Sequence, residues 1–143
     1  MDDFDISAAA QREIKDLILG EKLGGGISRQ VFEYALNDKY VVKIEDRSQS
    51  FQNIIEWEVW HHLKGCKATA RWLAPCHYIS PNGIVMIQER TMPMRPNERP
   101  KRVPSWLTDI KPDNWGLLNG KPVCHDYGFL QGIGRGGLTK ASW

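Results

Sequence analysis

A short segment in the last third of the sequence gathers residue types suited to phosphate and metal chemistry. Asp109, Lys111, Asn114 and Asp126 all lie within residues 107–128, LTDIKPDNWGLLNGKPVCHDYG. Carboxylate and amide oxygens are hard ligands that suit Mg²⁺, and an ammonium group neutralises phosphate charge. The alternative is a surface hairpin on which polar groups are scattered without a shared function. The rest of the chain has to position these groups if they act together.

The local pattern around these residues predicts a β-hairpin. Asn119 and Gly120 separate two short apolar runs, and Asn-Gly in that setting is the strongest short-range signal of a hairpin turn. Folding the first run back on the second brings Asn114 and Asp126 to the same end of the hairpin. Two oxygen donors at one end fit a magnesium ion that also binds phosphates.

The upstream sequence alternates helical and strand patterns, with no internal repeat. Apolar spacing and end signals predict helices at 7–19 and 50–64, the first with Ser7 or Asp5 as its N-cap and Gly20 as its C-terminal glycine. A glycine-rich loop and a hairpin are predicted between them, and a second hairpin follows, with PNG at 81–83 as its turn. The proline- and arginine-rich stretch at 90–106 predicts a linker or loop without regular structure.

This order of elements resembles the protein-kinase fold. The stretch LGGGISRQVF is similar to the kinase glycine-rich loop, with Gly24 and Gly26 at its first two glycine positions and Arg29 at the third. Val31 then matches the valine that covers the adenine. VVKIE is similar to the strand that carries the ATP-binding lysine, which here is Lys43. Glycines let the backbone approach a polyphosphate, whose charge the amide N–H groups meet.

The downstream motifs extend the resemblance. TDIKPDNWGLL resembles the catalytic loop, and HDYG resembles the metal-binding aspartate motif. The resemblance implies that Asp109 accepts or orients the proton of a substrate hydroxyl and that Lys111 neutralises charge on the transferred phosphoryl group. It further implies that Asn114 and Asp126 hold Mg²⁺ and that ATP is the nucleotide.

The adenine of ATP is expected among apolar side chains. Leu23, Val31 and Leu117 are the residues predicted to pack on it, with its edge reaching the backbone near Glu89.

Lys43 needs an anionic partner if it is buried among the apolar residues of its strand. The helix predicted at 50–64 offers two carboxylates, Glu56 and Glu58, which lie on different faces. Glu56 is favoured, because Val59, Trp60 and Leu63 follow it at helical spacings. The opposing interpretation has Lys43 on an edge strand pointing into water and the glutamates solvated.

The predicted class is therefore α+β. The predicted parts are an N-terminal helix (1–19), a kinase-like small lobe with an antiparallel sheet and one helix (20–92), and a truncated larger lobe with the catalytic loop and hairpin (93–143). Most of the larger lobe is expected to be missing, since 15 residues follow Gly128. Leu107 and Thr108 stand where the catalytic loop usually has His-Arg, and Tyr127 replaces a common phenylalanine.

Composition limits the classes of function. The chain has 143 residues, 41% hydrophobic and 25% charged, which is typical of one globular domain. A net charge of +2 gives no case for a nucleic-acid partner, and no apolar run is long enough to cross a membrane. Three cysteines without CxxC spacing and an acidic N-terminus favour a cytoplasmic protein.

Two functions remain open. One is a minimal serine/threonine kinase-like enzyme of phage or bacterial type, acting with ATP and Mg²⁺ on a hydroxyl of a protein or small molecule. The other is an inactive kinase-like module that acts through protein contacts. Six tryptophans in so short a chain also predict an apolar face, covered by a homodimer partner or by another protein.

Overall fold

The structure is a computed structural model that describes residues 5–26, 28–46, 50–128 and 136–143. The parts of the predicted N-terminal helix region, of the glycine-rich loop and of the 93–143 region that fall elsewhere lie outside the described residues. The helices and strands, in chain order, are α1 Ala8–Ile18, β1 Leu19–Gly25, β2 Gln30–Tyr34, β3 Tyr40–Ile44, α2 Gln52–Leu63, α3 Lys67–Ala70, β4 Cys76–Ile79, β5 Val85–Glu89, β6 Arg102–Pro104, β7 Trp115–Leu118, β8 Lys121–Cys124 and β9 Leu138–Lys140.

A five-stranded antiparallel sheet forms the first part of the chain, with strand order β1-β2-β3-β5-β4. The strand β3 lies at the centre of this sheet, and its residues Val41 and Val42 are both buried. Lys43 follows them and lies opposite Val31 on β2 and Met86 on β5. The helix α2 packs beside the sheet, against β4. This arrangement confirms the predicted α+β class and the kinase-like small lobe.

The first helix ends differently from its prediction. Ser7 is the N-cap, and its hydroxyl accepts a hydrogen bond from the Ala10 N–H at 3.1 Å. Gly20 does not end the helix, because the chain passes straight from Ile18 through an extended Leu19 into β1. Gly20 lies within β1, where a Cβ would come within 2.9 Å of the Glu33 Cβ. The glycine is thus explained by close strand packing.

The stretch at 90–106 is more regular than its composition predicts. It contains a 3₁₀ turn at Pro96–Glu98 and the strand β6, which pairs antiparallel with β9. Val103 of β6 is fully buried. The prolines tolerate this pairing because β6 has only three residues and forms a two-stranded sheet. The prediction of a loop without regular structure is therefore wrong for this strand.

The Asn-Gly hairpin forms as predicted. The strands β7 and β8 pair from Trp115 opposite Cys124 to Leu118 opposite Lys121. At the turn, Asn119 and Gly120 both have positive φ, 51° and 76°. These angles match the twist of a two-residue hairpin turn, which is why asparagine and glycine favour it.

We expect Gly120→Ala to lower the free energy of unfolding by about 1–2 kcal/mol, because an L-residue is strained at positive φ. Gly65→Ala is the matched control. A Cβ at either position meets no atom within 4 Å, but Gly65 lacks the positive φ. Urea unfolding measures both variants. Equal changes in the two would contradict the assignment of strain to the turn.

A tryptophan cluster links the small sheets to the rest of the molecule. Trp72 and Trp115 are buried with ring centres 6.2 Å apart, and Trp143 packs on Trp115 at 5.4 Å. Trp106 is also buried, whereas Trp57 and Trp60 are partly covered. Three of the six tryptophans thus contact one another within the chain, and the predicted partner for an apolar face stays a prediction. Across the described ranges, no helix is long and apolar enough to cross a membrane.

Candidate functional site

A buried ion pair joins the sheet to α2. Lys43 Nζ lies 2.7 Å from Glu56 Oε1, and the two side chains are 3% and 0% exposed. Glu58, the alternative in the sequence, is exposed on another face of α2. The structure therefore places Glu56 beside Lys43. Gln88 on β5 adds a hydrogen bond from its Nε2 to Glu56 Oε1 at 3.1 Å.

The position of α2 is fixed at its N-terminal end. The Glu45 carboxylate, just after β3, accepts hydrogen bonds from the backbone N–H groups of Gln52 and Asn53 at 3.1 and 2.9 Å. The Asn53 side-chain amide donates to the carbonyl oxygens of Lys43, Gly83 and Ile84. These bonds tie the first turn of α2 to β3 and to the β4–β5 hairpin.

Arg29 enters the same cluster from the start of β2. Its guanidinium contacts Glu56 Oε2, donates to Asp126 Oδ1 at 2.7 Å and donates to Asn53 Oδ1 at 3.0 Å. The Arg29 side chain is only 5% exposed. The sequence assigned Arg29 no role beyond its place at the third glycine position. The available signal was a large cation where the resemblance expects glycine.

The charges of the cluster shift the ionisation of its members. Burial lowers the pKa of Lys43, and the nearby Arg29 charge lowers it further. Burial opposes ionisation of Asp126, but the charges of Lys43 and Arg29 outweigh that effect and lower its pKa. Asp126 is therefore an ionised carboxylate at neutral pH.

The predicted catalytic loop lies at the surface beside this cluster. Asn114 Nδ2 donates to the Asp109 backbone oxygen and to its Oδ2, both at 3.2 Å. Lys111 Nζ lies 3.6 Å from Asp109 Oδ1, and these two side chains are 70% and 48% exposed. The turn Pro112–Asn114 holds the three together. The loop thus presents a carboxylate and an ammonium group to solvent.

His125 connects this loop to the segment that carries Asp126, and sequence reasoning missed it. Its backbone N–H donates to the Asn114 carbonyl at 2.8 Å. In the imidazole ring, Nε2 donates to the Asp113 carbonyl, and Nδ1 accepts from the Thr91 hydroxyl. A carbonyl can only accept, so Nε2 carries the hydrogen. Burial lowers the pKa of His125, which keeps the ring neutral. Its own carbonyl oxygen accepts from Lys43 Nζ.

Tyr127 is anchored by the hydroxyl that a phenylalanine would lack. It is 1% exposed, its hydroxyl donates to the Ala74 carbonyl at 2.7 Å, and it lies 3.2 Å from Cys76 Sγ. The motif that carries Asp126 is thereby tied to the segment leading into β4. The replacement of phenylalanine by tyrosine adds a tether rather than disturbing the packing.

The oxygen donors of Asn114 and Asp126 fit a hard cation in chemical type. Asp126 is 40% exposed, and Asn114 keeps its amide oxygen because its nitrogen serves Asp109. Among the residues that the structure describes, no three His, Cys, Asp or Glu side chains cluster closely enough to hold a metal. A cation here would thus take its remaining ligands from water or from phosphate. One Asp126 oxygen already has Arg29 as its partner.

The residues predicted around adenine lie on three strands, β1, β2 and β7. Leu23 is 45% exposed, and Val31 and Leu117 are partly buried. Leu117 exchanges two backbone hydrogen bonds with Met92, both 2.8 Å, which joins the segment after β5 to β7. The Glu89 N–H donates to the Pro75 carbonyl. A base edge that reaches the backbone here must use groups other than that N–H.

Two solved structures of APH(2'')-IIa are similar to this chain. One is its ternary complex with streptomycin and ATP, with 22% identity and a TM-score of 0.45. The other is its gentamicin complex, with 22% identity and a TM-score of 0.46. Each match covers 64% of this chain but only 31% and 30% of those chains, so this chain spans less than a third of their length. Protein-family models and curated protein sequences give no match.

The architecture of this chain matches the small lobe that its sequence motifs predict. The match consists of the five-stranded sheet, α2 and the pair of Lys43 with Glu56. Asp126 is linked to this pair through Arg29, and the His125 carbonyl accepts from Lys43 Nζ.

Proposed function

We propose that the chain is an ATP-dependent phosphotransferase that acts on a hydroxyl group. The observation that carries this proposal is the fully buried pair of Lys43 and Glu56, linked through Arg29 to Asp126. Burial of charged groups costs free energy, so a buried charge cluster in a small domain indicates that the cluster has a functional role. The role that we propose is binding of a polyphosphate beside Lys43.

The exposed loop supplies the groups for the chemical step. The Asp109 carboxylate accepts the proton of the attacking substrate hydroxyl. The hydroxyl oxygen forms a bond to the γ-phosphorus, while the bond from the γ-phosphorus to the β–γ bridging oxygen breaks and ADP leaves. Lys111 neutralises charge on the transferred phosphoryl group. The 3.6 Å between Lys111 Nζ and Asp109 Oδ1 lets both groups face one reacting centre.

The remaining roles concern binding. Gly24, Gly26 and Val31 would cover the nucleotide, with the base near Glu89. Glu56 would orient Lys43 toward the phosphates. Asn114 and Asp126 would hold Mg²⁺, which when bound would neutralise phosphate charge. The hydroxyl of a protein serine or threonine and that of a small molecule are both compatible with so open a loop.

The runner-up is an inactive kinase-like binding module. The contact of Arg29 with Asp126 favours it, since that contact occupies a carboxylate oxygen that a metal would use. On that interpretation the chain acts through protein contacts, with or without a nucleotide.

We expect a non-hydrolysable ATP analogue to bind in the presence of Mg²⁺, with Lys43→Met weakening it at least tenfold, because Lys43 is the buried cation beside the phosphates. Lys39→Met is the matched control, since Lys39 is exposed in the turn before the same strand. Isothermal calorimetry measures both. No heat and no thermal shift with the wild type at millimolar analogue would reject nucleotide binding.

A further inference from the structure

The side chains of Arg29, Lys43, Glu56 and Asp126 form a closed set of charges. Glu56 has Lys43 on one oxygen and Arg29 on the other, and Arg29 continues to Asp126. Two cations and two anions sum to zero. Without Arg29 the set would carry one net negative charge, and a buried uncompensated anion is strongly unfavourable. Arg29 thus supplies the positive charge that a bound cation would otherwise supply.

The geometry makes Arg29 a built feature of the site. Its guanidinium has three partners in two parts of the chain: Asn53 and Glu56 on α2, and Asp126 after β8. Asn53 is itself completely buried and directs its Oδ1 at the guanidinium while its Nδ2 serves backbone carbonyls. The orientation of the Asn53 amide therefore selects a donor at the position that Arg29 fills.

Arg29 and a metal ion compete for the same carboxylate. Asp126 Oδ1 accepts from the guanidinium at 2.7 Å, and a cation on either oxygen would lie within a few ångströms of the arginine charge. At such separations, repulsion between like charges near a protein surface amounts to several kcal/mol. This repulsion opposes simultaneous binding of the two cations to Asp126.

We propose that Arg29 and a divalent cation are mutually exclusive partners of Asp126, so that cation binding detaches the start of β2 from the metal-binding motif. This inference rests on the divalent-cation site of the proposed function. Arg29 is a positioning residue here: in the metal-free protein it holds the beginning of β2 against Glu56 and Asp126. When a cation takes Asp126, the guanidinium keeps only its α2 partners or turns toward anionic phosphate.

Metal alone, without nucleotide, tests the exchange. Electron paramagnetic resonance of free Mn²⁺ measures the affinity of the wild type, Arg29→Gln and Arg90→Gln. Arg29→Gln should bind Mn²⁺ at least tenfold more tightly than the wild type, because its competing cation is gone. Arg90→Gln removes an equal charge outside the cluster, where Arg90 pairs with Glu33 at 3.0 Å, and should match the wild type. Adding Asp126→Asn to Arg29→Gln should abolish the gain.

A second measurement uses the wild type, so it stands even where Arg29→Gln folds poorly. The Nη–H signals of Arg29 in a low-temperature ¹⁵N-correlated NMR spectrum, assigned by their absence in Arg29→Lys, report the bonds of the guanidinium to Asn53 and Asp126. Adding Mg²⁺ should shift the Nη2 signal, because that nitrogen loses Asp126 as its partner. Equal Mn²⁺ affinities, no saturable Mn²⁺ binding to either protein, or an Arg29 signal insensitive to Mg²⁺ would overturn the proposal. None of these outcomes depends on whether ATP binds.

Discussion

Glu56→Ala is expected to lower the free energy of unfolding by about 3–5 kcal/mol, because it leaves two buried cations without their shared anion. Lys43 and Arg29 each contact one oxygen of that carboxylate, and all three side chains are at most 5% exposed. Gln88 would lose its acceptor as well. A loss of this size approaches the whole stability of many small domains.

Glu58→Ala is the control for this variant. Glu58 lies two positions along the same helix and is exposed, so the substitution changes helix composition equally without touching the cluster. Urea unfolding followed by tryptophan fluorescence should show an early transition, or no folded baseline, for Glu56→Ala and a nearly unchanged midpoint for Glu58→Ala. Similar midpoints would mean that the buried pair contributes little.

Asp109→Ala is expected to reduce phosphoryl transfer by about 10²- to 10⁴-fold, the range for loss of a general base. Binding of ATP should stay within about threefold of the wild type, since the carboxylate acts on the hydroxyl in the transition state. Transfer of radiolabelled phosphate from ATP to the chain itself or to lysate components measures the first effect, and calorimetry measures the second.

Asp113→Ala is the matched control for the loop. Asp113 is an exposed carboxylate in the same turn, and the contact with His125 uses its backbone carbonyl, which the substitution keeps. Transfer by Asp113→Ala at the wild-type rate, together with loss in Asp109→Ala, assigns the effect to Asp109. Absence of transfer in every protein despite ATP binding would instead favour the binding module.

Local signals predicted most of the elements. The Asn119-Gly120 turn and the strand around Lys43 depend on neighbours in sequence, so their patterns can be recognised without knowledge of the fold. The pairing of β6 with β9 was not predicted, because it joins segments more than 30 residues apart and its prolines argue locally against a strand. Gly20 was misassigned for a similar reason: close packing of β1 on β2 explains it better than a helix end.

In the candidate site, too, local patterns predicted some residues, and long-range contacts determine the others. Motif order predicted Lys43 and Asp126, and helical spacing favoured Glu56 over Glu58. Arg29 was missed as a member of the cluster because its partner Asp126 lies 97 positions along the chain, and no local pattern links them. His125 was missed because its role depends on carbonyl groups, which sequence does not reveal.

The anchoring of α2 also limits how this molecule can be regulated. To swing α2 outward, the protein would have to break the two bonds that Glu45 accepts and the three that the Asn53 amide donates. Each loss leaves a polar group unpaired in a poorly solvated place, and the total is several kcal/mol. These bonds hold the helix in place, and the lysine–glutamate pair is formed without a ligand. On the proposed function, ligand-dependent adjustment would fall to Arg29 and to the exposed loop at 109–114.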